Sequence, residues 1–166
     1  MDLLLDAVCI VDAEGRYVYV NAAFERIFGY RPDEIIGQRM IDLVYAEDRD
    51  KTLRSAASVM AGRPNFHFEN RYVHKRGHIV DVMWSARWSE EQQARIAVAR
   101  DITARKQSEA VQQAMHAISE ATHLATDLPE LLQRLRDIVA RLLPCDDFRI
   151  VLSDVSHGPP PRDQVE

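Results

Sequence analysis

Two short β-rich runs open the chain, residues 8–12 and 16–20, and Asp12-Ala13-Glu14-Gly15 between them suits a tight turn with Asp first and Gly last. The pattern predicts a hairpin in which Cys9 and Val11 share one face with Val18 and Val20. Asn21 then caps a helix whose Phe24, Ile27 and Phe28 recur at i, i+3 and i+4, and Gly29 stops it. Pro32 opens a second short helix through Glu34, Ile35 and Ile36 before Gly37. Residues 47–61 form a longer helix candidate with Leu53, Ala56, Ala57 and Met60 on one face, ended by Gly62-Arg63-Pro64.

Residues 66–74 and 79–88 predict two further strands joined at Lys75-Arg76-Gly77. In the second, Val80, Val82, Trp84, Ala86 and Trp88 alternate with Asp81, Ser85 and Arg87, as in a half-buried strand. Residues 95–102 form the last. Two strands, short helices and then three strands imply an α+β arrangement, an antiparallel sheet with helices on one face.

From Thr103 the period changes. Ala104, Ser108, Val111, Met115, Ile118, Thr122 and Ala125 fall at alternating steps of four and three, the spacing that keeps one stripe turned toward a partner helix. Val111, Met115 and Ile118 are its apolar middle and the expected dimer interface. Asp127-Leu128-Pro129-Glu130 starts a second helix, whose apolar face from Leu128 to Leu143 is broader than a coiled-coil seam. Pro144 ends it, residues 148–152 suit one strand, and residues 153–166, with three consecutive prolines, are expected to be disordered. So much apolar helix beyond Thr103 predicts a homodimer.

Composition narrows the function classes. The chain has 166 residues, 46% hydrophobic and 28% charged, with a net charge of −5. That acidic balance argues against a nucleic-acid surface. No window approaches the length of a membrane span, and Met1-Asp2-Leu3-Leu4-Leu5 is too short and acidic for a signal peptide, so the cytoplasm is the expected compartment. Cys9 and Cys145 form no CxxC pair, and Cys9 lies in an apolar strand pattern suited to a small buried hydrophobe.

Residues 3–103 resemble a complete PAS domain. The resemblance is carried by Asp12 and Gly15 in the first hairpin, Asn21-Ala22-Ala23-Phe24 at the helix entry, Gly29-Tyr30, Glu34-Ile35-Ile36-Gly37, Arg76-Gly77, and Asp101-Ile102-Thr103 at the exit. It implies a five-stranded antiparallel sheet with short helices folded over one face, and signal transfer through the helix after Thr103. Residues from about 115 to 152 resemble the first helix and strand of a GAF domain. With 104–125 assigned to the signalling helix, residues 126–152 read as the start of a truncated GAF domain, too short to bury a core alone. The chain is expected to be a fragment of a longer sensor.

The small inward positions Cys9, Val11, Val18 and Ala22 are candidates to line a pocket for a small metabolite; close packing favours instead a cup filled by its own Phe and Ile side chains. Haem-binding relatives of PAS domains carry an axial His on the long helix, and residues 47–61 hold none. Flavin-binding photosensors carry a reactive Cys that residues 34–43 lack, so neither haem nor covalent flavin is expected. His67, His74 and His78 near Glu69 suggest a metal, but His74 and His78 flank a turn far from the other two, so a solvated hairpin is expected and no metal site. His116 lacks the acidic neighbour and Arg-x-Pro continuation of a kinase phosphoacceptor and reads as an exposed helix histidine.

Asp101 is the position to single out. In PAS domains the matching Asp commonly pairs with a basic residue of the preceding hairpin, here Lys75 or Arg76. Asp101, Thr103, Lys75 and Arg76 are thus the expected junction between sheet and exit helix. No nucleotide loop, nucleophile elbow or supported carboxylate pair is present. The expected function is a non-enzymatic sensory and dimerisation module; a ligand-free interaction module is the alternative.

Overall fold

Asn21 joins the first hairpin to the first helix through one side chain. Its Oδ1 accepts from the backbone N–H of Phe24 at 3.2 Å and from that of Val8 at 3.0 Å, while Nδ2 donates to the Asp6 carbonyl at 3.2 Å. The residue that caps α1 (Ala22–Phe28) therefore also ties it to β1 (Ala7–Asp12). Gly29 closes α1 at φ 80°, a left-handed conformation that favours glycine, and a Cβ there would stand 2.5 Å from the His74 ring and force it to move. Pro32 begins the short α2 (Pro32–Ile35), which buries Ile35.

The computed structural model describes residues 5–124 and 128–142. Five antiparallel strands form one sheet in the order β2-β1-β5-β4-β3, with β2 spanning Tyr17–Val20, β3 Asn65–Val73, β4 Ile79–Ser89 and β5 Ala94–Asp101. The helices pack on one face, giving the α+β PAS-like architecture expected from the sequence. Both sheet edges receive extra backbone partners. Gly37 and Met40 donate to the carbonyls of Tyr17 and Gly15 beside β2, and Tyr45 donates to Arg71 beside β3. Edge strands covered in this way are poor templates for pairing with another chain.

The core is an aromatic stack. Phe28 lies 4.5 Å from Phe24, 5.1 Å from Tyr72 and 6.1 Å from Trp84, centroid to centroid, and Tyr17 meets Phe24 edge-on at 5.2 Å. Such offset and edge-on pairs add to the hydrophobic gain from burial.

Two inward faces differ from expectation. The β1–β2 register slips between Ile10 and Val11, so that Cys9 faces Val20 but Val11 faces Tyr17. This bulge sends Val18 outward, 54% exposed, and brings Tyr17 inside. The long helix α3 (Arg49–Met60), preceded by a 3-10 turn at Ala46–Asp48, turns Thr52, Ser55, Ala56 and Val59 inward and leaves Leu53 and Met60 exposed. The bond from Asn70 of β3 to Thr52 favours that rotation. Thr52 Oγ1 donates to the Asp48 carbonyl at 2.7 Å and accepts from Asn70 Nδ2 at 2.8 Å.

The chain divides into two compact units between Gln107 and Ser108, one helical turn beyond the boundary expected at residue 103. The first unit holds the sheet, α1–α3 and the start of α4 (Thr103–Leu124). The second contains the rest of α4, with Ala114 and Ala121 buried and Val111 and Met115 exposed, and α5 (Leu128–Leu142). Cys145, the strand expected at 148–152 and the tail at 153–166 lie outside the described residues.

Candidate functional site

Between the inner face of the sheet and α3 a cavity of about 50 Å³ remains inside the first unit. Close packing therefore fills most of the cup and leaves a small space. That space is several times the 10–15 Å³ a single water needs and about a third of the roughly 150 Å³ that holds benzene.

Cys9, Val11, Ala97 and Arg95 line the cavity from β1 and β5, with Tyr17 beside them; Thr52, Ser55, Ala56 and Val59 line it from α3. Of the four pocket residues expected, Cys9 and Val11 are there. Val18 is not, because of the bulge, and neither is Ala22, whose position in the first turn of α1 is exposed while Ala23 is buried in its place.

A buried polar chain runs along one wall. Trp84 Nε1 donates to Asn70 Oδ1 at 3.0 Å, Asn70 Nδ2 to Thr52 Oγ1, and Thr52 Oγ1 to the Asp48 carbonyl. Donors and acceptors are thus matched across β4, β3 and α3, as buried polar groups require. Burial pushes the Cys9 thiol up to about 12 and raises the Tyr17 and Tyr72 phenols, so all three keep their protons at neutral pH. The Tyr17 hydroxyl faces that of Tyr72 but completes no hydrogen bond of good geometry.

Sequence reasoning missed Arg95, Tyr17 and the Thr52–Asn70 pair. In β5 the bulky Ile96 and Val98 look like the inner set, yet the small Ala97 and Ala99 point inward with Arg95 and leave the space.

The exit junction is built differently from expectation. Lys75 pairs with Glu34 of α2 rather than with Asp101. Among the described residues neither Lys75 nor Arg76 forms an ion pair with Asp101, although all three line one open groove together with Thr103. The Asp101 carboxylate instead accepts from the Thr103 backbone N–H at 2.8 Å, capping α4. Thr103 Oγ1 in turn accepts from the backbone of Asp81 at 3.0 Å. Glu69 of β3 holds the first turn of α4 with both carboxylate oxygens, 2.9 Å from Arg105 Nη2 and 2.6 Å from Lys106 Nζ. Lys106, then Arg105, keep Glu69 below the usual carboxylate range.

The other candidates resolve locally. His74 and His78 stack on each other at 4.1 Å, while His67 is exposed near the other end of β3; among the described residues no group of three or more His, Cys, Asp or Glu could hold a metal ion. His116 is exposed, 3.6 Å from Glu120. Among the described residues no helix is long and apolar enough to cross a membrane.

Known proteins match this architecture. A domain of a sensory box sensor histidine kinase/response regulator from Geobacter sulfurreducens superposes with a TM-score of 0.54 at 28% identity, covering 60% of this chain and 85% of that one. The PAS domain of a protein from Colwellia psychrerythraea does so at 0.53 and 27%, covering 61% and 90%. The probable diguanylate cyclase DgcE of Escherichia coli (strain K12) is 29% identical over 79 residues, 47% of this chain, which spans only 7% of that protein's length. The family profile described as PAS fold matches residues 1–107, the sheet, its helices and the junction just described, and the chain belongs to that family.

Proposed function

We propose that this chain is the sensory and dimerisation part of a larger cytoplasmic signalling protein. A small molecule in the cavity, or a partner, sets the state of the sheet, and α4 carries that state to an output domain. The single observation behind this reading is the placement of two neighbours on β3. Asn70 belongs to the cavity wall, and Glu69 beside it grips Arg105 and Lys106 of α4. Successive strand residues face opposite sides, so one shift of β3 moves both. The surface pairs are each worth only ~1 kcal/mol or less, which is the scale that biases a two-state relay without locking it.

The similar histidine kinase and diguanylate cyclase make a kinase or a cyclic-dinucleotide enzyme the natural output. The exposed Val111 and Met115, with Ile118 on the same stripe, are the proposed contact between two copies, and residues 126–152 are proposed as the start of a truncated GAF domain. Native mass spectrometry of freshly purified protein, with a thermal-shift screen of small metabolites, tests the sensory reading. A bound molecule or a raised melting temperature is expected. A clean apo dimer indifferent to every compound would favour the purely structural module.

A further inference from the structure

Arg95 stands on the inner face of β5 opposite Val11, lines the cavity and is only 7% exposed. Among the described residues no side chain pairs or hydrogen-bonds with its guanidinium. Arg71, by contrast, is held by Asp48 and Glu47. A guanidinium keeps its charge at any ordinary pH and offers five N–H donors. Buried charges are as a rule paired, because leaving one alone in a weakly polar interior is costly.

No neighbour supplies the missing anion. Cys9, Tyr17 and Tyr72 feel the Arg95 charge, and burial keeps all three protonated. The Tyr17 hydroxyl at the same cavity is fully buried and, though it faces the Tyr72 hydroxyl, completes no hydrogen bond of good geometry. The remaining wall is largely apolar, including Val11, Met40, Val59 and Ala97.

We infer that the cavity is a site for a small monocarboxylate, its oxygens received by the Arg95 guanidinium and the Tyr17 hydroxyl and its short apolar tail by the aliphatic wall. A planar carboxylate matches the guanidinium fork. An inorganic oxyanion would instead press its remaining oxygens against the aliphatic wall. The cavity volume of about 50 Å³ limits the ligand to a few heavy atoms, on the scale of acetate or propionate. This inference rests on the sensory reading above and names its ligand class.

The test is calorimetric titration and thermal melting of the whole chain with sodium propionate and with its neutral isostere propionamide, at matched ionic strength. Propionate is expected to raise the melting temperature and to bind at least about tenfold more tightly than the amide, the margin of one good charged contact. Arg95→Met is expected to abolish the propionate response while melting no lower than the parent, since it replaces a largely buried, unpaired side chain by an apolar one of similar length. Tyr17→Phe, which keeps the ring in the core, is expected to weaken propionate several-fold, and it carries the test if Arg95→Met fails to fold. Equal binding of amide and carboxylate, or propionate binding undiminished in both variants, would overturn the anion assignment and leave a sensory cavity standing. No response to either probe, nor to acetate, nor any bound molecule in native mass spectra, would overturn both the carboxylate assignment and the reading of the cavity as a small-molecule sensor, leaving only a partner to set the state of the sheet.

Discussion

The indole N–H of Trp84 donates to Oδ1 of Asn70 at 3.0 Å. One hydrogen bond thereby joins the aromatic core to the polar wall of the cavity, since the Trp84 ring also stacks on Phe28 and Asn70 continues to Thr52. The sheet and α3 are held together by packing and by a short directed chain.

Trp84→Phe tests that chain. The aromatic packing is largely kept, but Asn70 Oδ1 loses its donor inside the core. A buried acceptor left alone costs about 1–3 kcal/mol, and the smaller ring adds to it. Urea denaturation should therefore show a loss of about 2 kcal/mol or more. A loss under about 0.5 kcal/mol would show that the chain carries no stability.

Asp48 gives the fold an acid limb. Arg71 bonds it through the backbone N–H at 2.7 Å, through Nε at 3.0 Å and through Nη2 at 2.9 Å, and Lys51 lies 3.2 Å away. The Arg71 guanidinium, opposed by partial burial, holds the Asp48 carboxyl far below its ordinary value of 3.8. A depressed folded value means the contribution is complete above the unfolded value and is lost as pH falls below about 5 into strong acid. Asp48→Asn should cost about 3 kcal/mol at neutral pH, as for a broken buried pair, and the gap from the parent should narrow steadily on acidification. Parallel pH profiles for the two proteins would contradict this.

At the junction, Glu69→Gln should cost no more than ~1 kcal/mol globally because the pairs are partly exposed. Its effect should concentrate in residues 103–107, whose amide exchange should quicken. Asp101→Ala should cost about 1 kcal/mol, the usual value of a lost helix cap, and should fray the same turn. Unchanged exchange there in both variants would show that α4 is held by other means.

The frame of the fold was legible because its signals are local. Asn21, Gly29 and Pro32 each satisfy a backbone demand within a few residues, and they mark where α1 and α2 begin and end. The cavity was less legible because its residues meet only through the sheet. A single bulge at Val11 reversed the faces of Val18 and Tyr17, which alternation alone cannot foresee. On α3 the apolar stripe through Leu53 and Met60 pointed to the wrong face, since Thr52 gains a buried hydrogen bond from Asn70 of β3 by facing inward. Asp101 was correctly placed at the strand end, but its partner is the adjacent backbone of Thr103. The Glu69 grip spans more than thirty residues of sequence and leaves no local trace.

Self-association is open to direct measurement. Sedimentation at tens of micromolar, an order-of-magnitude choice, should show a dimer, and Met115→Glu should shift it toward monomer without lowering the melting temperature of the PAS sheet. Monomer alone for the parent would contradict the proposed role of Val111, Met115 and Ile118.

The central claim is that the cavity wall and the exit helix move together through β3. The most direct measurement is hydrogen exchange of residues 103–107 in Thr52→Val, which removes one hydroxyl from the cavity wall on α3 and touches nothing in α4. The account predicts faster exchange in that turn than the global loss of stability explains, with the rest of α4 unaltered. Exchange at 103–107 identical to the parent, in a protein that is measurably destabilised, would contradict it.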